Sequence, residues 1–590
     1  MNRKMRRAAA TGKNRRMAPR PAAAELNFLD NLLAHGWQLL AEGHDEQAME
    51  IAVQALRLRE SDDSKAFFVQ CLKRWSYFPG AEKMRDVFVR ALREPWTKAN
   101  ELIGTIKGVL DHDPIIGLAM RRVGACWPVR EGLAELLGAS GLATISKDSL
   151  LLALLESTKY FGLELEHFLT TLRAGLLNMT MQGNSHDDED VLRLSCALAR
   201  QCFITEYVFD LTGDEHRRTS ILRDRISHAI ASGDEISPFE LAVLAAYQNL
   251  ENVAGHETLL KRTWPDCVEN LLNQQVREPA AERRQRASIP KITPINDTTS
   301  ISVRQQYEDN PYPRWINIPA ATAAISIDEL IESAFPFSKY RKTGKTNSCD
   351  LLIAGCGTGQ DPILVSRNLR GARTLAVDLS LASLCYAKQK TRALGLANID
   401  YAQADITELG NLRRTFDVIS CVGVLHHLAN PEQGWATLVS LLRPGGCMHI
   451  GLYSEIAHRH LIAAQTWLRA RGYTSSAEDI RRARQDLSAA AAYEPTLKDV
   501  LSYADFYTMS ECRDLLFHRQ DDRFSIPRLH TFLEKNKLRF LGFEVDGAVR
   551  DRFAQRFAPE NESDLLLWHE FEVENPDTFK GMYQFYVQTA

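Results

Sequence analysis

The chain has 590 residues, too long for one hydrophobic core, so about two to four domains are expected. A formal charge of −4 on 45% apolar and 25% charged residues is that of an ordinary soluble protein and argues against one built to coat nucleic acid. No run of about 18 uncharged apolar residues occurs, so no membrane span is expected. The 11 cysteines form no C-x-x-C pair and read as reduced packing residues of a cytoplasmic protein, with no disulfide frame and no metal site expected.

Residues 1–23 carry Arg3, Lys4, Arg6, Arg7, Lys13, Arg15, Arg16 and Arg20 without an acid. They lack the apolar centre of a secretory signal and read as a disordered basic tail, with an arm for RNA or an acidic surface as the alternative. Residues 24–277 keep a helical period throughout. Within them Trp37, Leu40, Gly43, Ala48 and Ala55 follow the spacing of a helix pair brought close by small residues. That stretch is similar to one tetratricopeptide (TPR) repeat, with a weaker echo over 81–92, and TPR-like helices imply a protein partner. The apolar run Cys202 to Phe209 is expected in a core, with a substrate-facing patch as the alternative.

Residues 278–300, rich in Arg and Glu and holding Pro290 and Pro294, read as a linker. After it, the prolines at 311 and 313 stiffen a segment that presents Tyr312, Arg314 and Trp315. Arg341 to Thr346 hints at a phosphate loop, but Lys339 stands where its first glycine belongs, and the segment precedes the strand. An ATPase is therefore excluded.

From 349 onward strand and helix alternate, with strands expected at 350–354, 374–378, 399–402, 416–422 and 448–453. The first strand ends in Gly355-Cys356-Gly357-Thr358-Gly359-Gln360, a tight turn that lets a ligand touch bare backbone. Asp378, 19 residues after Gly359, ends the second strand, where a carboxylate accepts ribose hydroxyls. Asp405 and Ile406 follow the third strand. Val422 and then Leu425-His426-His427-Leu428 follow the fourth, and Leu442 to Gly446 opens the fifth. Residues 456–526 are helical and charged and read as an inserted helical lid. A helix, a strand at 538–545 and an antiparallel last strand at 583–588 then complete the sheet.

This succession resembles the class I S-adenosylmethionine (SAM)-dependent methyltransferases. With the TPR-like helices, the 310–315 segment and Cys512 to His518, it resembles the bacterial TPR-containing members. The resemblance implies an α/β Rossmann-like seven-stranded sheet over 301–590 and SAM as cofactor. It implies a cofactor site of Gly355, Cys356, Gly357, Gly359, Gln360, Asp378, Leu379, Asp405, Ile406 and Val422. From the stiff segment Tyr312 and Arg314 are expected to join it, with Tyr307 or Tyr312 lining the cofactor mouth and Arg314 pairing with a carboxylate. The family's acidic residue near the first glycine is missing, since Ile353 and Ala354 stand there. Asp361, Gln360 or a residue of 307–315 is then expected to meet the methionine amine. His426, His427, Tyr453 and His518 are the expected catalytic residues. Strand four lacks an Asn/Asp-Pro-Pro-Tyr ending, which disfavours methylation of bases and glutamine. The expected acceptor is a protein side chain recruited by the helical half. The alternatives are a small molecule of quinone or metabolite type, or a SAM-binding scaffold without catalysis.

Overall fold

The computed structural model describes residues 23–589 apart from 131, 139, 160–161, 183–187, 310, 312–313, 322 and 519–520. The basic tail up to residue 22 and Tyr312 lie outside the described residues.

Seven strands form one sheet: β1 (Cys349–Ala354), β2 (Ala372–Asp378), β3 (Ile399–Gln403), β4 (Phe416–Val422), β5 (Leu442–Leu452), β6 (Leu538–Phe543) and β7 (Tyr583–Thr589). Their order is β3-β2-β1-β4-β5-β7-β6, with β7 antiparallel to both neighbours. This is the class I methyltransferase sheet that the resemblance implies. The two-residue period of β1 feeds two cores. Leu352 and Ala354 face Trp435, Phe532 and Trp568, whereas Leu351 and Ile353 face Ile363, Leu384 and Tyr386. β5 starts six residues earlier than expected, because Leu442 already pairs with Phe416 before a bulge shifts the register to Val418 opposite Cys447.

Residues expected as a linker are packed instead. Helix Glu278–Arg284 lies on helix Leu381–Ala393. Arg283 reaches back to Glu251, while the Gln285 side chain accepts from Arg392 at 2.9 Å. Ile292 N then donates to Gln403 O at 3.0 Å, and Gln403 N donates to Pro290 O at 2.8 Å, extending the sheet edge beyond β3. The charges that resemble a solvated linker are pairing groups for both halves. The segment expected to be extended from Gln306 is helical through Asp309, within helix Thr298–Asp309.

The helical half packs around helix Leu163–Met181, which is buried on nearly every side. Ala48, Ala52 and Ala55 are fully buried where helices Ala23–Ala41 and Asp45–Leu58 meet, and the left-handed Gly43 (φ +81°) turns the chain between them. Cys202, Val208 and Phe209 are buried as the core reading expects, while Phe203 is half-buried.

The insertion leaves β5 and returns at one point, since Phe524 N donates to Tyr453 O at 2.8 Å and Glu455 N to Phe524 O at 3.0 Å. Its helices Arg459–Ala470, Ala477–Ala490 and Met509–Phe517 share one continuous core with the N-terminal half. Arg484 and Glu166, with side chains 1% and 3% exposed, form a two-pronged ion pair at 3.0 and 2.7 Å. Arg484 also donates to Phe506 O and Val208 O. Glu206 and Tyr207, in the left-handed region at φ 56° and 58°, turn two acceptors toward the insertion. The Glu206 carboxylate accepts from Ser510 N at 2.6 Å, and Tyr207 O accepts from Arg481 at 2.9 Å. The insertion is thus a bolt between the halves, not a segment attached to the sheet alone.

Glu166→Ala should leave the Arg484 charge buried without its carboxylate and destabilise the fold by about 3–5 kcal/mol. Glu164→Ala, one turn-face away with an exposed side chain, should cost under about 0.5 kcal/mol. Urea unfolding of the two variants checks the difference.

Candidate active site

The carboxyl ends of the central strands open into a cavity of about 360 Å³. Its floor is the turn after β1. A Cβ on Gly355 (φ +81°) would stand 2.4 Å from Val424, so that position tolerates only glycine. The turn is held by its neighbours. Gly355 N and Cys356 N donate to Val377 O at 2.8 and 2.9 Å, and the Trp315 indole donates to Thr358 O at 3.1 Å. Gly357 N donates to Asp378 Oδ2 and Ser380 N to Oδ1, each at 2.8 Å. Each carboxylate oxygen of Asp378 keeps a lone pair for a further donor in the cavity. Burial pushes the Asp378 carboxyl above the usual range, against these backbone bonds.

Leu379, Ala404 and Ile406 give one end of the cavity an apolar wall. Asp405 stands between two wall residues, 1% exposed. Its Oδ1 accepts from Thr407 N and Oγ1, and Oδ2 is buried with no partner among the described residues. At another edge lie Gln360, Asp361 and Lys98, the last reaching over from the helical half. Asp361 accepts from Ser420 Oγ at 3.3 Å, and burial raises its pKa.

The remaining wall is made jointly by sheet and helices. His427 follows β4 and Tyr453 follows β5. Asp514 comes from the insertion helix Met509–Phe517, and Tyr307 from helix Thr298–Asp309. Tyr307 Oη donates to Asp514 Oδ1 at 2.6 Å and lies 3.5 Å from His518 Nε2. The His518 ring stacks on His427 with centroids 3.8 Å apart. Burial holds the Asp514 carboxyl and the Tyr453 phenol above their usual ranges. His426 lies behind this wall, fully buried and stacked on Tyr453 at 3.8 Å.

Residues 352–448 match the family model of a methyltransferase domain. The chain carries a class I SAM-dependent methyltransferase domain. An uncharacterized protein of Synechococcus is 31% identical over 209 residues, 34% of this chain and 49% of that one. The ubiquinone biosynthesis O-methyltransferase of Chromobacterium violaceum is 30% identical over 114 residues, 19% of this chain and 48% of the enzyme. The chain spans about half the length of these curated relatives. Among solved structures, PKMT2 from Rickettsia typhi in complex with AdoHcy matches at 14% identity and a TM-score of 0.37, over 46% of this chain and 55% of that one.

The methyltransferase cavity is suited to its cofactor on three observations. The turn bares backbone, the Asp378 carboxylate faces the cavity, and Leu379, Ala404 and Ile406 offer an apolar wall to a ring. Of the expected cofactor residues, Gly355, Cys356, Gly357, Gln360, Asp378, Leu379, Ile406 and Val422 line the cavity. Gly359 does not. A Cβ there (φ +85°) would stand 2.5 Å from Ala387, so this glycine lets helix Gln360–Asn368 sit close to helix Leu381–Ala393. Asp405 is set into the wall behind Ala404 and Ile406. Arg314 is misplaced by the sequence reading. Its guanidinium lies over the Phe203 and Tyr386 rings and 3.8 Å from Glu206, in a second cavity between the halves. Trp315, not Arg314, carries the link from this segment to the cofactor turn. His427 and Tyr453 line the methyltransferase cavity, His518 touches its wall, and His426 does not reach it. Lys98, Met582 and Gln584 were not foreseen. No local pattern marks them, because chain distant from the glycine turn delivers them.

Asp378→Ala should weaken SAM binding by about 2–3 kcal/mol, as loss of charged hydrogen bonds does, which calorimetry measures. With Asp361 as the expected partner of the cofactor's ammonium, binding would favour the ionised carboxylate, and a proton would compete with it. Since burial raises the Asp361 pKa, SAM affinity should begin to fall at a higher pH than an ordinary carboxylate would give. Asp361→Asn should flatten that part of the profile.

Proposed function

We propose that the chain transfers a methyl group from SAM to an oxygen of a small-molecule acceptor. The observation that carries this reading is the wall of His427, Tyr453, Asp514 and Tyr307 beside the cofactor turn, with His427 and Asp514 buried in it. When bound, the cofactor supplies a sulfonium methyl, which passes in line to a nucleophile as the carbon–sulfur electron pair returns to sulfur. Gly355 to Gln360 and Asp378 would hold the nucleoside and methionine portions, Asp405 the adenine amine, and Asp361 the ammonium. The enclosing helices exclude water and fix the acceptor in line. A hydroxyl acceptor must lose a proton, and the His427, Asp514 and His518 side chains put bases beside it. An already nucleophilic thiolate would need none of them. The named activity of the matched O-methyltransferase agrees with transfer to oxygen.

The recruitment of a protein by the TPR-like helices has less support. The core of the helical half runs directly into the insertion, so much of the apolar surface expected to meet a partner is covered by the same chain.

Lysate incubated with the enzyme and SAM labelled in its methyl group should gain label in the solvent-extractable metabolite fraction. Label in precipitated protein would move the reading to a protein acceptor, and no transferred label would leave a SAM-binding scaffold. His427→Ala and Asp514→Ala should keep SAM affinity within about twofold and lower turnover at least tenfold, about 1.4 kcal/mol of transition-state stabilisation.

A further inference from the structure

His427, Asp514 and His518 each offer one ligand atom, and these atoms all lie within 4.8 Å of one another. All three residues are buried. We propose that they form a binding site for one divalent transition cation at the acceptor end of the cavity. The role given to the cation rests on the methyl-transfer reading above, whereas its binding does not.

The site is assembled from two parts of the fold. Asp514 and His518 are four residues apart at the end of helix Met509–Phe517, which places them on one side of it. His427 comes from the turn after β4. Asp514 Oδ1 is 3.7 Å from His518 Nε2, already within the span that a shared ion at about 2.0–2.2 Å from each donor permits. A tetrahedral set at those bond lengths has donor–donor edges of about 3.3–3.6 Å, so a side near the 4.8 Å limit closes by about 1.2–1.5 Å through side-chain rotation. Tyr307 Oη and Gln306 Nε2 donate to Asp514 Oδ1 at 2.6 and 3.5 Å, the outer support that orients a ligating carboxylate.

The donor types select the ion. Two imidazoles and one carboxylate suit Zn²⁺, Fe²⁺, Mn²⁺ or Co²⁺, whereas Ca²⁺ and Mg²⁺ take oxygen donors and Cu⁺ takes thiolates. Three protein ligands leave coordination positions open, as in catalytic and not structural sites. His427 and Asp514 both line the cavity, so the open positions lie where an acceptor oxygen would sit. With their lone pairs on the cation, His427, Asp514 and His518 act as ligands in place of bases: the cation would lower the pKa of a bound hydroxyl, whose proton leaves to water while the oxygen lone pair forms the bond to the methyl carbon. The acceptor class is then a hydroxylated small molecule that ligates through oxygen.

Untagged, chelator-stripped full-length protein titrated with Co²⁺ tests the site without SAM or acceptor. The expected result is visible d–d absorption saturating near one Co²⁺ per chain, with a raised Tm. His518→Gln and Asp514→Asn should weaken that titration at least tenfold, while His530→Ala, at an exposed helix position, should not change it. Absence of the absorption and of the Tm shift in the native protein overturns the proposal, whether or not the variants fold. So does saturable absorption that survives both variants. Cobalt binding with no methyl transfer would retain the site and remove the reading of its role. Transfer that persists after chelation, with no cobalt bound, would overturn both the site and its role and leave the methyl-transfer reading standing.

Discussion

Arg484 cannot be buried alone, and much of the molecule's arrangement follows from what satisfies it. Its guanidinium is enclosed by a carboxylate from the helical half, a carbonyl from the same half and a carbonyl from its own insertion. A buried charge with one partner removed costs several kcal/mol, so the pair fixes the position of the insertion more sharply than apolar contact does. Fixing the insertion fixes helix Met509–Phe517. That helix in turn brings Asp514 and His518 over the carboxyl edge of the sheet. The N-terminal half, through Glu166 far upstream of the glycine turn, thereby positions this wall of the cavity.

The two ends of the cavity are built on different principles. At the nucleoside end, backbone geometry decides. The turn after β1 is bent into conformations open to glycine, and Asp378 locks it by accepting from the Gly357 amide while facing the cavity. At the acceptor end, burial decides. Histidine, tyrosine and aspartate side chains are crowded together, so each one's orientation depends on the others. Trp315 joins the two regimes. Its indole holds Thr358 of the turn, and its carbonyl accepts from the Tyr386 hydroxyl in the cavity between the halves.

The sheet was legible in the sequence because its strands obey local rules. β4 was expected over the span it occupies, since a fully buried parallel strand is an unbroken apolar run bounded by turns. The cofactor turn was legible because glycine spacing is a backbone requirement carried by adjacent residues. The packing of the insertion was not legible. Arg484 looks like one of several arginines on a charged helix, and only the distant Glu166 explains it. The same holds for residues 278–300, whose charges read as solvation but serve as cross-links between halves. Arg314 was misjudged because a stiff segment fixes spacing without fixing direction. The alternation of neighbours along it sends Trp315 to the cofactor turn and Arg314 away from it.

The central claim is that one cavity, floored by the sheet and walled by the insertion, receives the cofactor and its acceptor. Hydrogen exchange of the full chain, with and without S-adenosylhomocysteine, tests this most directly. The account predicts slowed exchange both in the turn from Gly355 to Gln360 and in helix Met509–Phe517, in the same titration and with the same half-saturation. Protection confined to the turn, with the insertion helix unchanged, would contradict it.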